Sequence, residues 1–188
     1  MFRHGETDWN LNDLLQGSSD TSLNKTGLAQ AEELAKNLTD SKIETILSSD
    51  LERAHTTAKI VASHLDIDIE TSEGLRETHF GETEGGYWPD IKEKYPEFFE
   101  ILYDFDHPDC FHASVPGGES RHQTFTRSSK AIKDFVQKNK DAQTLAISTH
   151  GALLNTFLVK HLNENLRFGN CEFIKLHYDT DYDQIFKP

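Results

Sequence analysis

The chain has 188 residues, 36% of them hydrophobic and 27% charged, with 32 acids against 19 bases and a formal charge of −13. That length suits a single domain, residues 1–188, with a proper core, and that charge excludes the basic face of a nucleic-acid binder. No apolar run approaches the ~20 residues of a membrane span, Arg3, Glu6 and Asp8 stand where a secretory leader would be apolar, and Cys110 and Cys171 make no disulfide framework, which suits a reducing cytoplasm.

In chain order, a strand before Arg3 has only Met1 and Phe2 to draw on. Thr26 is placed to cap a helix over 26–38, with Leu28, Ala31, Ala35 and Leu38 at helical spacing. Residues 45–48 read as a short buried strand. Residues 51–65 read as a helix with Ala54, Ala58, Val61 and Leu65 in one stripe, and 67–70 alternate like a strand. Residues 121–136 form a helix carrying Phe125, Ile132 and Phe135. Residues 144–148 form a strand, 151–162 a helix and 173–178 a last strand. This alternation predicts an α/β three-layer sandwich, a mostly parallel central sheet with helices on both faces. Residues 79–120 break the rhythm with Pro89, Pro96, Pro108 and Pro116 around a helical stretch over 90–105. They read as an excursion from the sheet, a small helical cap.

Chemistry gathers where the strands end, the place where open α/β sheets bind ligands. Arg3-His4-Gly5 follows the first strand. An arginine fork binds phosphate oxygens, a neutral imidazole is a nitrogen nucleophile, and a glycine lets the backbone approach a dianion. Ser48-Ser49-Asp50-Leu51-Glu52-Arg53 puts Arg53 in the first turn of a helix, and Thr149-His150-Gly151 opens the next, where free N–H groups suit an anion. Gly74-Leu75-Arg76-Glu77 supplies a carboxyl group. Alone, Arg53 reads as a solvated helix residue, His150 as a cap and Glu77 as a surface acid. Together, at successive strand ends, they predict one local cationic pocket in an acidic protein.

These motifs resemble the histidine phosphatase superfamily, in its phosphoglycerate-mutase-like branch. The resemblance covers most of the chain: Arg3-His4-Gly5-Glu6-Thr7 with Trp9-Asn10, then Leu15-Gln16-Gly17, Ser48-Asp50-Leu51-Arg53-Ala54, Leu75-Arg76-Glu77, Pro116-Gly117-Gly118-Glu119-Ser120 and Thr149-His150-Gly151. It implies that His4 becomes a phosphohistidine and that Glu77 protonates the leaving oxygen and then assists water. It also implies that Arg3, Arg53, His150, Asn10 and Gly151 hold phosphate, that Gln16 and Gly17 meet substrate, and that no metal or cofactor is required. The expected activity is a phosphomonoesterase of the histidine acid phosphatase type, acting on a small phosphorylated metabolite. A phosphoglycerate mutase is the alternative and an inactive binding module the lesser one. Mutases of this type carry a basic insertion after the acid motif, whereas here Lys92 and Lys94 are the only bases between Glu77 and Phe111. The acidic, aromatic cap (Tyr87, Trp88, Tyr95, Phe98, Phe99, Tyr103, Phe105) favours a neutral or apolar substrate body, although most of those rings read as cap packing. A rival metal site at His107-Pro108-Asp109-Cys110-Phe111-His112 has ligand types but no standard spacing. Nothing in the sequence specifies an oligomeric state.

Overall fold

Alternation within two short strands decides the layers. In β2 (Thr45–Ser49), Ile46 turns to one face and Leu47 to the other; in β4 (Leu145–Thr149), Ala146 and Ile147 do the same. On the first face Ile46, Ala146 and Phe2 pack against Leu34 and Ala35 of α2 (Lys25–Asn37), against Leu38 just beyond it, and against Ala58, Val61 and Ala62 of α3 (Glu52–Leu65). On the second, Leu47 and Ile147 meet Ile132 and Phe135 of α6 (Arg121–Lys138) and Phe157 of α7 (Gly151–Leu162). The sheet is thus covered on both sides, as its continuous apolar strands require. The computed structural model describes residues 1–104, 106–179 and 184–188, without the side chain of Tyr103. Phe105 and the Tyr103 ring, both counted among the cap aromatics, therefore lie outside the described residues.

The strand order is β1-β4-β2-β3, with β1 at Phe2–Arg3 and β3 at Asp68–Ser72, and every neighbouring pair is parallel. All four strands therefore end on the same edge, where the polar clusters lie. The predicted last strand over 173–178 is not one strand. Phe173 makes a single antiparallel bridge to Phe2, and β5 (His177–Asp179) pairs instead with β6 (Gln184–Phe186).

Two details of α2 differ from the sequence reading. Asn24, not Thr26, is the cap, its side chain accepting from Gly27 N at 2.8 Å. Of the expected stripe, Ala31, Ala35 and Leu38 are buried and Leu28 alone is exposed; Gly27 and Leu34 complete the buried face. A Cβ on Gly5 would lie 2.4 Å from Gly27 O, so the glycine after His4 admits the helix start, not the dianion its position suggested.

The excursion holds α4 (Trp88–Lys94) and α5 (Pro96–Tyr103) in place of one stretch, because Pro96 pulls Tyr95 out of helical geometry (φ −128°, ψ 54°). It is laced to the loop after α1 (Asp8–Leu11) by Leu15 N to Gly86 O at 3.0 Å and Trp88 N to Asp13 O at 2.9 Å. Trp88 stands edge-on to Phe99 at 5.1 Å, and Phe98 to Phe99 at 4.9 Å, so these rings pack the cap as expected. Among the described residues, no helix is long and apolar enough to cross a membrane.

Candidate active site

Register brings the two histidines together. Arg3 pairs with Thr149 across β1 and β4, so the next residue of each strand leaves the sheet at the same point. His4 N donates to Thr149 O at 3.1 Å, and the His4 and His150 ring centroids stand 5.2 Å apart. Both residues are buried. Nδ1 of His4 lies 2.7 Å from Gly5 O. A carbonyl only accepts, so Nδ1 carries the proton and Nε2 presents its lone pair. Arg53 Nε donates to that Nε2 at 3.3 Å, which requires the same tautomer. Burial holds the His4 pKa well below 6.5, helped by the charges of Arg53 and Arg3, so the ring is neutral.

His150 Nε2 lies 2.8 Å from Ser49 Oγ, at the end of β2. Its pKa is also lowered well below 6.5, by burial first and by Arg53 next. Among the described residues, His150 Nδ1 and Arg3 Nε are buried with no hydrogen-bond partner, a rare condition for such atoms. Arg3 is otherwise held by Phe168 O, 2.6 Å from its Nη1.

Arg53, fully buried, clamps the loop that follows α1: Nη1 donates to Ser19 O and Nη2 to Gly17 O, each at 2.7 Å. Burial brings its pKa down to about 10. Gly17 sits at φ +54°, and a Cβ there would fall 2.1 Å from Glu84 Oε1. Glu84 occupies that space because it braces the loop, accepting from Ser18 N at 2.8 Å, Ser19 N at 2.9 Å and Ser19 Oγ at 2.6 Å. Gln16 Oε1 accepts from Thr7 at 3.0 Å and Thr21 at 2.6 Å, and Asn10 closes the capping box of α1 with Thr7.

Glu77 takes the place expected for an anion. Its Oε2 accepts from Ala152 N at 2.9 Å, and its Oε1 from Leu153 N at 2.8 Å and Thr78 N at 2.9 Å. These first-turn donors of α7 serve the carboxylate, which corrects the expectation that they stand open to phosphate. Gly151 itself lines the pocket.

Arg3, His4, Asn10, Gln16, Gly17, Arg53, Glu77 and Gly151 line one cavity of about 410 Å³, with His150 buried against the His4 ring. Three further residues escaped the sequence reading. Ser49 orients His150. Arg127 donates to the carbonyls of Gly74, Arg76 and Glu77 at 2.9, 2.6 and 2.9 Å and pairs with Glu119, fixing the backbone that carries Glu77. Arg121 lines the cavity from the start of α6. Geometry also removes two other acids near Glu77 from the site: Glu84 braces its loop and Glu6 accepts from Asn24, and neither lines the cavity, whereas Asp13 does. The metal reading at 107–112 also fails. His107 Nδ1 accepts from Asp109 N at 3.1 Å and His112 packs on His122 at 5.4 Å. Among the described residues, no three His, Cys, Asp or Glu side chains could hold a metal ion.

Known proteins are similar to this chain in sequence and in shape. The chain is 33% identical over 163 residues to the metal-independent phosphoserine phosphatase of Arabidopsis thaliana, covering 85% of this chain and 66% of that protein, so it spans slightly under two thirds of that relative. It is 31% identical over 185 residues to a probable phosphoglycerate mutase of Proteus mirabilis, covering 96% of this chain and 84% of the other. A mycobacterial glucosyl-3-phosphoglycerate phosphatase, solved with VO3, superposes with a TM-score of 0.87 at 26% identity, covering 98% of this chain and 93% of that one. The model of the histidine phosphatase superfamily, branch 1, matches residues 1–186, and to that superfamily the chain belongs.

Proposed function

We propose that this protein hydrolyses small phosphomonoesters through a phosphohistidine on His4. The observation that carries the reading is the tautomer of His4: Nδ1 is spent on Gly5 O, and Nε2 faces the cavity-lining Arg53 with its lone pair. Nε2 attacks phosphorus, the P–O ester bond breaks, and its electron pair leaves on the alcohol oxygen, which takes a proton from Glu77. Water then attacks the phosphohistidine, gives its proton to Glu77, and the P–N bond breaks. Arg3, Arg53 and His150 stabilise the charge on the phosphoryl oxygens. Such an oxygen supplies the partner that Arg3 Nε and His150 Nδ1 lack. Cations and imidazole thus do the work of a metal; the Arabidopsis relative is named metal-independent, and here too a chelator should leave activity intact. A chain with only two cysteines suits a reducing, cytoplasmic setting.

The Proteus relative's name keeps a mutase as the second reading. Against it, Lys92 and Lys94 lie over Trp88 and Tyr95, and neither lines the cavity. Phosphate release without added metal, with little interconversion of 2- and 3-phosphoglycerate, is the expected result; rapid interconversion with negligible release would reverse the choice. His4→Ala should abolish both turnover and an acid-labile, alkali-stable phosphoenzyme, and labelling that survives would move the nucleophile to His150. Glu77→Gln should slow alkyl phosphates by about 10²–10⁴-fold and aryl esters much less. Equal losses would pass the acid's role to Asp13.

A further inference from the structure

We infer that Ser49 is a positioning residue that sets the tautomer of His150: its hydroxyl donates to Nε2, which keeps the ring proton on Nδ1 and makes that N–H the donor an anionic oxygen meets. The inference rests on the phosphatase reading only for the identity of the anion.

Register brings the pair together. Ser48 pairs with Ser148 across β2 and β4, so Ser49, the last residue of β2, and His150, the first beyond β4, leave adjacent strands side by side. Both are fully buried, and Ser49 Oγ lies 2.8 Å from His150 Nε2. Such a contact has two forms, one for each neutral tautomer. The single proton of the hydroxyl separates them. Leu51 N already donates to Ser49 Oγ, at 3.3 Å. If Nε2–H donated as well, the oxygen would accept twice and its own proton would be buried without an acceptor, a costly state. The neighbouring hydroxyls show where such protons go. Ser48 donates to Ser49 O at 2.8 Å, Thr57 to Arg53 O at 2.7 Å, Ser148 to Ala54 O at 3.0 Å and Thr149 to Leu75 O at 2.9 Å. Among the described residues Ser49 Oγ makes no bond to a carbonyl, and the acceptor beside it is the imidazole.

Nε2 of His150 therefore accepts. The ring is neutral, so its proton is on Nδ1, the buried atom that has no partner in the protein. With the other tautomer Nδ1 would offer a lone pair, which repels a phosphoryl oxygen. The two histidines of the site thus share one tautomer and present opposite ends. His4 spends Nδ1–H on Gly5 O and offers the Nε2 lone pair, as a nucleophile must. His150 spends the Nε2 lone pair on Ser49 and offers Nδ1–H, as an oxyanion donor must. Whether a carbonyl or a hydroxyl stands behind the ring decides its part.

Long-range proton–nitrogen NMR correlation on protein with nitrogen-labelled histidine reads the tautomer directly, with His150→Gln to assign the signals. In the unaltered protein near neutral pH, His150 should carry its proton on Nδ1. Ser49→Ala should populate the other tautomer and lower kcat for phosphate release by about 100-fold, the worth of one donor to an oxyanion, with KM changed less than about threefold. Ser49→Thr keeps the hydroxyl and should restore both the tautomer and most of kcat. A merely structural role would lower the melting temperature of Ser49→Ala without moving the ring proton. A proton on Nε2, or on both nitrogens, in the unaltered protein overturns the inference and leaves the phosphatase reading standing. An unchanged tautomer in folded Ser49→Ala protein does the same. Should Ser49→Ala not fold, the spectra of the unaltered protein and of Ser49→Thr decide. The expected spectra in a protein that releases no phosphate uphold the part given to Ser49 and take down the phosphatase reading alone.

Discussion

Arg53 spends most of its donors on the protein. It holds Gly17 O, Ser19 O and His4 Nε2 at once, which a point-charged ammonium cannot reproduce. Arg53→Lys should therefore lower kcat by about 100-fold and also lower the melting temperature, a pairing that kinetics and thermal unfolding on one sample would check. If only KM rises, Arg53 is a substrate contact and not a brace for the nucleophile. At this scale the sequence was most legible where side chains sit beside turns: Arg3-His4-Gly5, Glu77 and Thr149-His150-Gly151 stand out because strand ends expose them. Arg121 and Arg127 were hidden because each is one basic residue in a polar helical stretch, where exposure is the ordinary fate. Only the carbonyls of residues 74–77 and the side chain of Asn155, distant in sequence, tell them apart from a solvated face.

The loop over 16–20 is an element without regular structure, and Glu84 gives it shape from the cap side. Burial would raise the Glu84 pKa, but bonds from Ser19, Ser18, Phe80 and His79 outweigh it and hold the carboxyl below its ordinary value. Glu84→Ala strands the N–H groups of Ser18 and Ser19, an expected loss of about 1–3 kcal/mol. It also frees the carbonyls that Arg53 grips, so KM should rise together with the fall in stability. Chemical denaturation and steady-state kinetics would separate this outcome from a purely local effect, in which KM stays put. The helices and central strands were readable from periodicity. The break at Pro96 and the end of the last strand were not, because one depends on a proline's effect on its predecessor and the other on the pairing of β5 with β6.

Across the whole molecule, two buried neutral histidines couple the site to stability. His4 and His150 have folded pKa values below the ordinary 6.5, so the unfolded chain binds more protons as the solution turns acidic. Their contribution is fully present above about pH 6.5 and is lost as pH falls below it. His55, lowered chiefly by partial burial, adds in the same direction. The melting temperature should fall between pH 7 and 5, before most carboxylates titrate, and His150→Gln should flatten the slope. A flat profile in the unaltered protein would mean that these rings carry a proton when folded. The same neutral state should carry phosphatase activity below pH 6.5.

The position of β1 has a consequence for synthesis. Among the described strands β1 reaches the sheet through β4 alone, and its other side is closed by Cys171 N to His4 O at 3.2 Å and Arg3 N to Glu172 O at 3.0 Å. Asn170 bonds His4 O across 166 residues of sequence. At roughly 5–20 residues per second, a ribosome needs about 7–30 s after making His4 to produce β4. Meanwhile α2, β2, α3 and β3 can already pack on one another. The proposed nucleophile is thus made before the strand that seats it, and in the interval the nascent chain has a partly assembled sheet and no working site.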